Sequence, residues 1–313
     1  MANIKEIKDR ISSIKDTMKI TNAMYMISSN KLKKARKMLE ETEPYFFANQ
    51  NMINRVIRHI DKDTEDRYLD TSIKTPFISR KKGYLVFTDD KGLAGAYNHN
   101  VLKLAEEHIR NDNDNDDWRL YVIGELGRHY FASKGMEVNE QFNFTAQNPT
   151  LHRSRKITRT LLDDYNEGKI DELYVVYTTM KNSITCETQF KKLLPLDVKA
   201  RTVKVPEGFM QESFTFEPSP KAVLDNIVPN YISGFMYGCL VEAYCSVQNS
   251  RMMAMDAANK SAQEMIADLT LKFNRERQAM ITQEITEVAG GAKALKNAQL
   301  KKKQIADALK NVE

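Results

Sequence analysis

Between Gly238 and Gly290 the chain contains neither glycine nor proline. A typical globular helix has roughly 11–12 residues, and this run can support one several times longer. The first 82 residues also lack glycine, and all twelve glycines fall between Gly83 and Gly291. Two long helical ends around a compact middle are therefore expected. Such a shape suits a strut better than a self-contained enzyme.

The N-terminal end carries a heptad seam. Ile4, Ile7, Ile11, Ile14, Met18, Thr21 and Tyr25 follow a 3-4 spacing, the pattern that drives helix pairing. The helix is expected from residue 3 to about 58, with a kink or break near Pro44. The C-terminal end has its own seam in Met252, Met255, Asn259, Ala262, Ile266, Leu269 and Phe273. Asn259 is a polar member of the kind that sets register at some cost in stability.

The middle differs. GYLVFT at 83–88, WRLYVI at 118–123, ELYVVYT at 172–178 and ITCETQFKKLLPL at 184–196 read as strands. Helices are expected at 97–110, 125–135 and 150–168. Strands alternating with helices indicate a small sheet with parallel crossovers. The fold class expected is α/β plus coiled coil: an antiparallel two-helix coiled coil from the two ends, with a central Rossmann-like α/β domain. The domains are 1–60 for the first helix, 61–82 as linker, 83–204 for the α/β domain, 205–220 as linker, and 221–313 for the last helix with its tip.

Pairing two ends of one chain through a compact domain implies facing residue numbers with a roughly constant sum, here about 276. Met24 would face the neighbourhood of Arg251. Residues beyond about 276 would project without a partner, carrying Met280, Ile281, Ile285, Val288 and Ala289. Exposed apolar surface of that extent calls for a surrounding protein. At 1.5 Å per residue the helix from 221 to 289 is roughly 100 Å long.

Charge and composition narrow the classes. The net charge of +5 is mildly basic, and 42% of residues are hydrophobic. Three cysteines, Cys186, Cys239 and Cys245, without CxxC spacing argue against a disulfide framework or zinc site and for a reducing compartment. No apolar run is long enough to span a bilayer, and the charged N-terminus has no signal segment. Lys31, Lys33, Lys34, Arg36 and Lys37 form a basic cluster without an aromatic platform for nucleic acid. The turn DDKGLAGAYN after the first strand is neither GxGxxG nor a P-loop. The five histidines show no metal-ligand spacing. On residues alone, a stand-alone coiled-coil scaffold or nucleic-acid binder and a Rossmann-like enzyme with helical arms remain open.

Five stretches in order resemble the gamma subunit of the F-type ATP synthase, bacterial type. They are the N-terminal IKDRISSIKDTMKITNAMYMISSNKLKKA, TDDKGLAGAYN at 88–98, FEPSP at 216–220, SRMMAM at 250–255, and RQAMITQEITEVAGGA ending at residue 292. The resemblance implies a non-catalytic central-stalk rotor without a cofactor or metal. It would turn inside a ring of alpha and beta subunits, with its foot on the epsilon subunit and the c-subunit ring. It would bind no nucleic acid and would reach the membrane only through that complex, as a peripheral protein on the cytoplasmic face. It implies rotor–stator contacts for Met24, Arg251, Arg277, Gln278, Thr282 and Glu284, and foot contacts for Asp90 and Lys91. Arg251 is also expected to pair across to the first helix. Where the family usually has Ser-Glu before SRMMAM, this chain has Ser246-Val247, so the acidic residue is missing.

Overall fold

The computed structural model describes residues 4–59, 66–70, 80–111, 117–182, 185–196 and 215–310, with backbone alone at 46, 59, 220 and 300–310. Most of the two expected linkers, and residues 112–116, 183–184 and 197–204 of the expected α/β domain, lie outside the described residues. The elements are α1 (Ile4–His59), β1 (Lys82–Phe87), α2 (Tyr97–Asn111), β2 (Trp118–Ile123), α3 (Glu125–Ser133), α4 (Leu151–Asn166), β3 (Glu172–Met180), β4 (Cys186–Leu194) and α5 (Pro220–Lys310). They divide into two compact units, Met24–Met255 and Met1–Ala23 with Asp256–Glu313.

The larger unit is built on a sheet of order β2-β1-β3-β4. β1 runs parallel to β2 and to β3, as expected of strands joined through helices. β4 does not follow that rule. It pairs antiparallel to β3, because the connection from Lys181 to Thr185 is far shorter than the dozen or so residues a crossover takes. All six residues of β1 are buried, the mark of a strand covered on both faces.

Alternation along β1 separates the two faces. Leu85 and Phe87 pack with Ile157 and Leu161 of α4, with Leu224, Val228 and Ile232 of α5, and with Ile53 and Val56 of α1. Tyr84 and Val86 pack with Val101, Ala105 and Ile109 of α2 and Phe131 of α3. Each such side chain contributes about 1.5–3 kcal/mol when fully buried. Tyr68 and Leu69, between α1 and β1, join the first face and are almost fully buried. Thr150 caps α4, its side chain accepting from the Arg153 amide.

Within this unit α1 and α5 lie antiparallel. Ile53 shares a cluster with Leu224, whereas Leu32 and Ala35 share one with Tyr237, Val241 and Cys245. Pro44 neither ends nor interrupts α1. It stands on the exposed side, and the apolar positions on either side of it are anchored, so packing outweighs the one backbone bond proline removes. The thiols of Cys239 and Cys245 are buried packing groups. Burial raises both pKa values, that of Cys245 to about 12.

The smaller unit pairs the start of α1 with the later part of α5. Ile7 is buried, and Ile4, Ile11, Ile14, Met18 and Thr21 are half-buried at the expected spacing. On α5 the half-buried positions include Asn259, Ala262, Ile266, Leu269, Phe273 and Glu276. The Thr21 hydroxyl donates to Asn259 Oδ1. That pairing places the register about four residues, or one helical turn, from the expected sum. After Glu276 the periodic burial stops, and every residue from 277 to 299 is exposed. Gly290 and Gly291 do not end the helix, which continues to Lys310. Each costs a helix only about 1 kcal/mol relative to alanine.

Candidate functional site

The exposed stretch of α5 presents two adjacent stripes. Arg277, Ile281, Glu284 and Val288 recur at 4-3-4 spacing and share one face. Gln278, Thr282 and Ile285 take the neighbouring face. Val288 is 73% exposed and Ile285 64%. Thr282 Oγ1 donates to the Gln278 carbonyl at 2.9 Å, and Gln283 Nε2 to Glu287 at 2.9 Å. The side-chain hydroxyl of Thr282 is thus held back on its own helix. Arg277 and Glu284 extend into solvent between apolar side chains. Such a surface offers charge, hydrogen bonding and apolar contact over one narrow strip.

A second constellation lies in the larger unit, where the β1–α2 loop meets α5. Arg251 is only 8% exposed. Its Nη2 bonds the Asp89 carboxylate and the carbonyls of Lys91 (3.3 Å) and Gly92 (3.2 Å). The guanidinium is committed to this loop, which replaces the expected pairing with the first helix. Asp89 also accepts from the Asp90 amide at 2.8 Å, and its own amide donates to Asn98 Oδ1 at 2.9 Å. A side chain at Gly95 would sit 3.9 Å from Ala254 Cβ and from the Ser250 carbonyl, so the loop runs along α5 at 250–254.

The base of the loop is closely fitted. Thr88 Oγ1 donates to the Ile123 carbonyl at 2.8 Å and accepts from the Gly127 amide at 3.1 Å. A Cβ at Gly127 would lie 2.5 Å from that hydroxyl, and one at Gly124 would lie 2.4 Å from the Thr88 carbonyl. At the loop's tip Leu93 holds φ at 63° and is 64% exposed.

Asp90 and Lys91 take different places. The Asp90 carboxylate accepts from the Glu125 amide at the start of α3 (3.1 Å), the Ala146 amide (3.2 Å) and the Thr145 hydroxyl. A negative group there suits the helix N-terminus. Lys91 gives its carbonyl to Arg251, and its residue is exposed.

Met24 is half-buried on α1. Further along α1, Lys33, Arg36 and Lys37 line a groove of about 630 Å³ with Leu32, Asn249 and Met252. Among the described residues no group of three or more His, Cys, Asp or Glu side chains is placed to hold a metal ion. No described helix is long and apolar enough to cross a membrane.

The sequence gives no signal for the buried acids Asp89 and Glu172. Asp89 was hidden beside Asp90, since adjacent acids look alike until one faces inward. Glu172 opens β3, directly ahead of its apolar stretch at 173–177, and is fully buried. It accepts from Arg80 (2.9 Å), Lys192 (2.8 Å) and Tyr174 (2.7 Å). Burial pushes its pKa up, but these donors outweigh that and leave it lowered.

Comparison with known proteins agrees with this architecture. The ATP synthase family model matches residues 3–295. The ATP synthase gamma chain of Ruminiclostridium cellulolyticum is 46% identical over 94% of this chain and 99% of its own length. The sodium-ion-specific ATP synthase gamma chain of Acetobacterium woodii is 36% identical over 94% of this chain and 99% of its own. Among solved structures, a chain of the Euglena gracilis mitochondrial ATP synthase (OSCP/F1/c-ring, rotational state 3) shares the fold. Its TM-score is 0.60 at 13% identity, covering 93% of this chain and 94% of that one. The match runs through both helical ends and the sheet between them, and the chain belongs to the ATP synthase gamma chain family.

Proposed function

We propose that this chain is the central-stalk rotor subunit of an F-type ATP synthase. The observation that carries the reading is the end of periodic burial at Glu276, followed by an exposed helix bearing apolar and polar stripes. Such a helix needs a protein around it. In this reading α1 and α5 form an antiparallel coiled coil, and the α5 tip turns inside a ring of alpha and beta subunits. The α/β part of the chain is the foot, carried with the epsilon subunit on the c ring. Rotation couples ion flow to ATP synthesis or hydrolysis on the beta subunits. The gamma chain performs no chemistry and binds no nucleic acid. It meets the membrane only through the complex, on the cytoplasmic face.

Arg277, Gln278, Thr282 and Glu284 are the ring contacts of the tip, and Met24 is a contact on α1. A rotor acts on the ring only through contacts that differ between rotational states, and the uncovered face of the tip is where such contacts can form. Lys91 is the foot residue that keeps its side chain for a partner. Asp90 and Arg251 act through the loop they hold.

Met24→Lys sets a cation at this proposed contact. The expected result is less ion pumping per ATP hydrolysed in membrane vesicles, with assembly intact. An unchanged pumping ratio would count against Met24 as a contact. The reading as a whole is tested by isolating the tagged chain from its cells. It should emerge in a complex with alpha, beta and epsilon that hydrolyses ATP. Recovery alone, or with nucleic acid, would overturn it.

A further inference from the structure

The last helix outlasts the family match. The matched region ends at Leu295, and the gamma chains of Ruminiclostridium cellulolyticum and Acetobacterium woodii are matched over 99% of their own length. α5 nevertheless continues to Lys310. Residues 296–310 add about 22 Å of helix at 1.5 Å per residue, with no counterpart in those relatives.

The added turns differ in charge from the tip. Residues 277–292 hold Arg277 against Glu284 and Glu287. Residues 293–310 hold Lys293, Lys296, Lys301, Lys302, Lys303 and Lys310 against Asp307 alone. A cation is favourable at a helix C-terminus, but the effect falls off within the last turn, so it accounts for Lys310 only. Packing does not account for the others, since periodic burial stops at Glu276 and every residue from 277 to 299 is exposed. A concentration of one sign is self-repelling, and a helix without tertiary cover gains little stability from propensity alone. An opposite charge brought from outside removes that repulsion.

The lysines are also spread around the helix axis. At 3.6 residues per turn, successive positions stand about 100° apart. Lys301, Lys302 and Lys303 therefore take three different sides, and Lys293 falls in the gap between the first and the third. The stripes of the tip differ from side to side, whereas this collar of charge is the same in every direction. A helix that turns against its neighbour keeps such a contact at all angles. Contacts that do not change with rotation cannot bias the ring, so the segment is not a torque contact.

We propose that residues 296–310 are an axial bearing, a basic helix end that turns against an acidic surface of a non-rotating subunit. The proposal rests on the rotor reading, which also decides the class of partner. A basic helix can lie on an anionic membrane, but in that reading the membrane meets the foot, and the tip is enclosed by protein.

The test uses the assembled complex of alpha, beta, gamma and epsilon in membrane vesicles, with Gln304 replaced by photoreactive p-benzoylphenylalanine. Illumination should cross-link gamma to an acid-rich segment of a non-rotating subunit. Lys301→Glu with Lys302→Glu and Lys303→Glu should lower that product about tenfold, and the matching glutamine variant should lower it less. Added salt should lower it in the parent. Assembly and ATP hydrolysis should persist in all three chains, because the bearing lies outside the ring contacts. Products with lipid alone, or with a segment lacking acids, would overturn the bearing. So would a yield that charge reversal leaves unchanged. In each of these results the complex is assembled and the rotor reading stands. A gamma chain that never joins alpha and beta would remove both.

Discussion

Arg251→Leu is expected to destabilise the larger unit by about 3–5 kcal/mol, the usual effect of removing one partner from a buried ion pair. Asp89 is 5% exposed, so the substitution strands a carboxylate away from water. It also releases the Lys91 and Gly92 carbonyls that the guanidinium gathers. Asp89→Leu made together with Arg251→Leu should recover much of the loss, since an apolar pair in place of a buried salt bridge is often neutral. Urea unfolding of the four chains forms a double-mutant cycle. Additive effects would show that the pair is not coupled. The outcome also separates two roles for Arg251. A direct ring contact would alter coupling without touching stability, whereas an internal clamp must move both.

Glu172→Gln is expected to cost a similar amount, about 3–5 kcal/mol at neutral pH, and to change the acid limb of stability. The parent carboxylate is held below its ordinary value of 4.5 by Lys192, Tyr174 and Arg80 against the opposing effect of burial. A lowered folded-state pKa means that the contribution is fully present above the ordinary value. It fades as pH falls from about 4.5 through the lowered value. The glutamine chain has no such proton to take up, so the gap between the two stability curves should narrow across that window. Parallel curves through the acid range would remove Glu172 as an acid-sensitive element. The cluster joins β3 to β4 through Lys192 and to the segment leading into β1 through Arg80. A loss here should therefore spread across the sheet.

The helical pairing was legible in the residues because burial imprints a 3-4 spacing on any helix with one covered face. Ile4 through Thr21 and Asn259 through Phe273 recur as that spacing requires. Length matching alone anticipated where cover would end, close to Glu276. The strands were legible as apolar runs, but their directions were not. β4 turns back because of a short connection, a fact about loop length rather than about side chains. Pro44 illustrates the opposite failure, a strong local signal overruled by packing on both sides. The Arg251–Asp89 clamp could not be read at all, since no periodicity links a residue on α5 to one just after β1 that lies 162 positions earlier. Asp90 looked available for a partner for the same reason, and its three internal donors became visible only when Glu125, Thr145 and Ala146 were brought to it.

The bond between Thr21 and Asn259 joins residues 238 positions apart, which bears on how the chain is made. At about 5–20 residues per second, the covering stretch of α5 leaves the ribosome on the order of tens of seconds after α1. The strands and their helices lie between, close in sequence, and short-range contacts form first. During that interval the stripe from Ile4 to Met18 has no mate and is an open invitation to aggregation. A nascent chain of this design therefore keeps that stripe uncovered until its last helix has been synthesised.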